Sequence, residues 1–147
     1  MTDKKPKNVF KNGAISSEFI GTSIAKHQTK TTIGAHSIFL GQVRADVIDS
    51  KTVSAIEYTA YEAMANEKCN EIRETTFKKF DLTCMHIYHS LGTVKAGEIC
   101  LFVFASSPRR KIAFKAIEYI VEEIKAQVPV FGKEIFEDQS HQWKSNN

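Results

Sequence analysis

The densest chemistry in the chain lies in SSPRRKIAFK, residues 106–115, where Arg109, Arg110 and Lys111 crowd the expected start of a helix. Ser107 carries the hydroxyl that favours an N-cap, and Pro108 suits the first helical position. Basic residues at a helix N-terminus oppose its macrodipole, so the arrangement is unfavourable unless an anion sits among them. A phosphate would accept from both the free amides and the guanidinium groups. The plainer account of the same residues is a solvated charge cluster beyond a strand end. Lys125, just before Pro129, and Lys133, in VPVFGKE, are the next candidates. Lys125 continues the polar stripe of Lys111, Lys115, Glu118 and Glu122, as an ordinary surface lysine near a helix C-terminus would. It becomes an acid–base or nucleophilic group only where a pocket desolvates it or another cation lowers its pKa.

Arg44 closes an expected strand in which Gly41 allows another backbone or a ligand to approach. Taken alone, Arg44 is more often a strand-end charge than a ligand contact. His36, His86 and His89 fall on expected strands without metal-ligand spacing. His89, just before SLG, is either a ligand donor or a satisfied structural histidine. Cys69, Cys84 and Cys100 are odd in number and form no C-x-x-C pair, against both a disulfide framework and a zinc knuckle. They read as reduced packing residues. No G-x-S-x-G, Walker loop or G-x-G-x-x-G is present, so hydrolase, NTPase and dinucleotide readings lack support.

Several elements must position these residues. A short helix is expected from Ser16 or Ser17, with Phe19, Ile20 and Ile24 facing inward. Ile33 to Arg44 and Val53 to Tyr61 read as strands, with RADVIDSKT as a loop between them. From Tyr61 to Phe80 the period changes: Met64, Ala65, Cys69, Ile72, Thr76 and Phe80 recur at helical spacing. Met85–Tyr88 and Glu98–Ala105 are expected strands, with Gly92 and Gly97 bracketing the turn. ICLFVFA is apolar on both faces and belongs at the centre of its sheet. Ala113, Ala116, Ile117, Ile120, Val121, Ile124 and Val128 mark one helical face that Pro129 ends. A shorter tail runs to Trp143. This order implies an α+β domain with helices packed on a mainly antiparallel sheet.

The 147 residues, 42% of them hydrophobic, suit one domain, expected over residues 14–143. Residues 1–13 and 144–147 are expected to be flexible. The basic N-terminus is followed by no apolar stretch, so it does not read as a signal peptide, and no run is long enough to span a bilayer. A cytoplasmic protein is the expectation. The formal net charge of +3 is too mild to demand a nucleic-acid partner.

In order along the chain, GAHSIFLGQVR, IEYTAYEAMA, IYHSLGTVKAGE, SSPRRKIAF, IKAQVPVFGKE and HQW resemble the large, catalytic subunits of molybdopterin synthase. The stretches run from Gly34 to Trp143, and it is the ordered set that is specific. The resemblance implies an α/β hammerhead with an added antiparallel subdomain. It implies a sulfurtransferase that adds two sulfurs to cyclic pyranopterin monophosphate, with no cofactor and no bound metal. Sulfur would arrive on the C-terminal Gly-Gly thiocarboxylate of a small ubiquitin-like carrier. The large subunits would pair as the central dimer of a heterotetramer, with pocket residues from both copies, and no nucleic acid or membrane involved.

Carried over by position, Lys125 matches the active-site lysine before the proline, and Arg44 the arginine of a G-x-V-R strand with Phe39 on the same pocket wall. Arg109-Arg110 stands where the family has His-Arg, implying a hold on the substrate phosphate. His89-Ser90-Leu91-Gly92 stands for His-Arg-x-Gly, so one cation is gained and one lost. Where the family shows P-x-W-K-x-E, this chain has Pro129-Val130-Phe131-Gly132-Lys133-Glu134. The second catalytic lysine therefore falls on Gly132, and Lys133 is expected to reach the same space because glycine leaves the loop pliant. The competing expectation is a noncatalytic module of the same fold that docks a ubiquitin-like tail or a phosphorylated ligand.

Overall fold

The computed structural model describes residues 6–145; the remainder of both expected flexible termini lies outside the described residues. In chain order the elements are β1 Phe10–Asn12, α1 Ser17–His27, β2 Ala35–Gln42, β3 Val47–Ile48, β4 Lys51–Ala60 and α2 Glu62–Lys79. They continue with β5 Cys84–Lys95, β6 Ile99–Ser107, α3 Arg110–Gln127, β7 Val130–Phe136 and β8 His141–Trp143. The strands join in the order β2-β6-β5-β4-β7-β8, with β1 on β5 and β3 on β4. Every pair is antiparallel except β1 with β5. The α+β expectation with helices on a mainly antiparallel sheet is borne out.

β5 holds two parts of the sheet together. Cys84 to His89 pair with β6, whereas Gly92 to Lys95 pair with β4. Gly92 sits at the change of partner with φ +83°, a conformation that glycine adopts without a Cβ penalty. The turn expected between Gly92 and Gly97 is therefore narrower, because β5 runs on to Lys95.

β6 is central, as its two apolar faces require. Leu101, Val103 and Ala105 join a large core cluster with Ala65, Cys69 and Ile72 of α2 and Ala116, Ile120 and Ile124 of α3. Phe102 and Phe104 point the other way and pack with Ile15 and Ile20 against α1. α1 starts where its sequence says: the Ser16 Oγ accepts from the Phe19 N–H at 3.1 Å, with Glu18 in the first turn. All three cysteines are buried and free, which bears out their reading as packing residues. Among the described residues no helix is long and apolar enough to cross a membrane.

Three expectations are corrected. Residues 8–13 are ordered rather than flexible. Val9 and Phe10 are buried, the Val9 N–H donates to the Asn66 Oδ1, and Phe10–Asn12 pair with His89–Leu91. Two apolar residues in a basic stretch are too few to show a period. The loop expected over RADVIDSKT contains β3, which closes a hairpin on β4 through Asp49 and Ser50 at positive φ. Finally, α3 begins at Arg110 with Arg109 as N-cap and no side-chain cap, not at Ser107 and Pro108. Proline holds the preceding residue extended, so Ser107 stays in β6. Its Oγ accepts from the Arg109 N–H at 3.2 Å and donates to the Asp81 carbonyl at 3.1 Å.

Candidate active site

Two clefts open beside the C-terminal turn of α3, and Tyr58, Lys125 and Lys144 line both. The first, about 460 Å³, runs along residues 124–132 with His89 in its wall. The second, about 330 Å³, is bounded by Phe39 and Arg44, with Cys100 and Glu134 also lining it. Strand alternation builds the shared wall. Tyr58 pairs with Gly132 and Ile56 with Glu134, so all four stand on one face of the β4–β7 ladder.

The fold therefore brings Lys125, His89, Arg44 and Phe39 to one region. His89 is 7% exposed, with its ring edge-on to Tyr58 at 5.0 Å. Its Nδ1 lies 2.8 Å from the Ser90 carbonyl, which can only accept, so Nδ1–H donates and Nε2 keeps its lone pair. Burial pushes the His89 pKa down to about 4; the Lys125 charge lowers it further, while the Ser90 bond works the other way. At neutral pH His89 is thus an uncharged imidazole facing a lysine. Burial, reinforced by Cys100 and Glu134, raises the Tyr58 pKa and keeps its hydroxyl protonated. Arg44 lies at the cleft mouth, where its Nε is 3.2 Å from Asp46 Oδ1 and its side chain 74% exposed. Glu134 is buried and accepts from Gln142 at 3.1 Å.

Three candidates lie elsewhere in this chain. Arg109 and Arg110 are exposed at the opposite end of α3 from Lys125. The rise of an α-helix over the intervening residues separates Arg110 from Lys125 by about 22 Å. Lys133 alternates with Gly132, so it faces away from the clefts and its Nζ pairs with Glu57 at 3.1 Å. Reaching the clefts would take a one-residue slip of β7, which would break its pairing with both β4 and β8. Gly132 is not a pliant loop residue but part of a strand, which removes the reason for expecting Lys133 there.

Tyr58 and Lys144 are lining residues that sequence reasoning passed over. Tyr58 sits in the quoted IEYTAYE stretch, and its alternation with Ile56 was the available signal. Lys144 falls in the tail expected to be flexible, yet its N–H donates to the Gly132 carbonyl at 2.8 Å. Chemically, the region combines cations, a protonated hydroxyl and an imidazole acceptor. It can hold an anion and move a proton beside it.

Comparison with known proteins gives one consistent relationship. A family model described as the MoaE protein matches residues 15–127. The chain is 40% identical over 116 residues to the molybdopterin synthase catalytic subunit 1 of Aedes aegypti, covering 77% of this chain and 74% of that protein. It is 34% identical over 125 residues to the molybdopterin synthase catalytic subunit of Aspergillus fumigatus, covering 85% and 66%. Among solved structures, molybdopterin synthase from Staphylococcus aureus superposes with a TM-score of 0.79 at 30% identity, over 92% of this chain and 95% of that one. The complex of subunits 1 and 2 of the molybdopterin-converting factor from Helicobacter pylori superposes with a TM-score of 0.78 over 93% and 90%. At 19% identity, that second likeness speaks for the fold alone.

Proposed function

The chain belongs to the MoaE protein family, and on that premise we propose that it is the catalytic subunit of a molybdopterin synthase, a sulfurtransferase of molybdenum cofactor biosynthesis. Its substrate is cyclic pyranopterin monophosphate, and its sulfur donor is the Gly-Gly thiocarboxylate of a small ubiquitin-like carrier. The observation that carries this reading is the convergence of Lys125, His89 and Tyr58 where two clefts meet. One cleft is lined by the consecutive residues 124–132, along which a carrier tail can lie, and the other can take the pterin beside Phe39 and Arg44.

The chemistry proceeds in two stages for each sulfur. The thiocarboxylate sulfur attacks an oxygen-bearing substrate carbon, the C–O bond breaks with its oxygen leaving as water or on the phosphate, and a thioester then joins tail and substrate. Attack on the acyl carbon then breaks its bond to sulfur. The sulfur stays on the substrate as a thiolate, and the tail leaves as a carboxylate once water has added. Lys125 serves either as proton carrier for these steps or as the amine that attacks the acyl carbon before water does. Because His89 is uncharged, it can accept a proton or a hydrogen bond without adding to the positive charge. Arg109 and Arg110 contribute from a second copy of this chain, binding the substrate phosphate, because they lie too far from Lys125 within one copy. No cofactor or metal is required.

The test is reconstitution with the thiocarboxylated carrier and cyclic pyranopterin monophosphate, with product read as its oxidised fluorescent derivative. Wild-type protein is expected to form the dithiolene. Lys125→Ala is expected to lower turnover by about 10²-fold or more, the range of a lost acid–base group, while still binding the carrier. A tight carrier complex with no product from the wild type would favour the noncatalytic module, for which Gly132 is the specific support.

A further inference from the structure

We infer that Lys144 supplies the second cation of the joined clefts, in the role the sequence pattern points to for Lys133, and that its ammonium holds the anionic end of the carrier tail beside Lys125. The inference deepens the synthase reading and rests on it.

Register is the first argument. β8 pairs with β7 through Lys133 opposite Trp143 and Glu134 opposite Gln142. The next pair in that register is Gly132 with Lys144, and it is closed by the Lys144 N–H donating to the Gly132 carbonyl at 2.8 Å. Directly opposed residues of an antiparallel pair project from the same face. Lys144 therefore stands on the face of Gly132, Tyr58 and Glu134, and it lines both clefts. Lys133 is on the other face with Glu57.

Space is the second argument. A Cβ built on Gly132 would come within 2.9 Å of Ile56 Cγ2 and 3.2 Å of Tyr58 Cε1. A side chain cannot leave the strand at Gly132 without moving the residues that form the shared wall. The strand neighbour that can bring a cation to this face of β7 is Lys144, opposite Gly132, beside the Lys125 that α3 supplies. Charge is the third. A thiocarboxylate and a phosphate entering adjoining clefts bring two anions together, near the buried carboxyl of Glu134. With the phosphate held by Arg109 and Arg110 of a second copy and Arg44 opposite Asp46, the tail carboxylate and Glu134 face Lys125, and Lys144 adds the second positive charge beside them.

The test uses the full chain with Lys144→Gln, Lys144→Arg and Lys133→Ala. Each is assayed for product formation and, by calorimetry, for binding of the carrier ending in its Gly-Gly carboxylate. Losing one charge-assisted contact predicts that Lys144→Gln weakens carrier binding by about tenfold and raises KM for the carrier more than it lowers kcat. Lys144→Arg should recover most of that loss, because the charge is kept, and Lys133→Ala should match the wild type. Lys144 is exposed, so thermal melts of the variants should coincide with the wild type. Agreement of Lys144→Gln with the wild type in both readouts, or an equal loss in Lys133→Ala, overturns the inference. If the wild type makes no product but binds the carrier in a Lys144-dependent way, the synthase reading fails and the assignment of Lys144 stands. Absence of both product and carrier binding removes both.

Discussion

His89 offers a quantitative check on the geometry of the cleft wall, because its environment makes the protein sensitive to acid in a way that one substitution can isolate. The ring is buried between Tyr58 and Phe10, and its pKa falls from 6.5 to about 4. Between those values the unfolded chain binds a proton on this residue and the folded chain does not. Stability therefore rises with pH through that window and is lost as pH falls from about 6.5 towards 4. At 1.36 kcal/mol for each pH unit, the gap corresponds to about 3 kcal/mol in all. The comparison is His89→Asn, whose amide can still donate to the Ser90 carbonyl but has no proton to gain. Urea unfolding of both proteins, repeated from about pH 7.5 down to pH 4, gives two stability curves. The variant should be weaker at neutral pH, since it loses the ring contacts, but the wild type should fall towards it by about 3 kcal/mol across the window. His86, also lowered to about 4, contributes equally to both curves and cancels. Parallel curves would refute the reasoning, since they would mean that His89 titrates alike in the folded and unfolded chain and does not sit desolvated beside Lys125.

Two further outcomes follow from the packing. Gly34→Ala would place a Cβ 2.1 Å from the Pro108 carbonyl oxygen, where β2 meets the entry to α3. It should lower stability by about 1–3 kcal/mol in chemical denaturation and loosen the Gly34 N–H bond to Ser107, seen as faster amide exchange. The Ser90 hydroxyl is fully buried with no partner among the described residues. Ser90→Ala should therefore raise stability by about 1 kcal/mol, and a lower urea midpoint would mean that the hydroxyl is bonded after all.

Much of the fold was legible because burial writes itself into periodicity. Ala65, Cys69, Ile72 and Thr76 line one side of α2, and Ala113, Ala116, Ile120 and Ile124 one side of α3. The doubly apolar β6 had to be interior. Of the strands that escaped notice, β7 was hidden by Gly132 and Lys133 in mid-strand, and β1, β3 and β8 have little apolar content to reveal them. β1 and β3 offer one buried or half-buried apolar residue each, and β8 is exposed throughout. They form because backbone groups elsewhere need partners, a demand that belongs to the assembled sheet and not to the segment.

The site divides along the same line. From residue types and their order alone came a lysine ahead of Pro129, an arginine ending a strand, a buried-or-binding histidine and the family resemblance that links them. Those are local properties of the chain, and Lys125, Arg44, Phe39 and His89 did converge. Which side of β7 carries the second cation was not local. A strand alternates its side chains, so a single step of register exchanges cleft for outer face. Pairing of β7 with β4 and β8 sends Lys133 to Glu57 and brings Lys144 to the cleft. Likewise, the length of α3 is what separates the Arg109–Arg110 cluster from Lys125. Residue chemistry was readable from the sequence, whereas the direction and distance of each group were decided only when the strands paired.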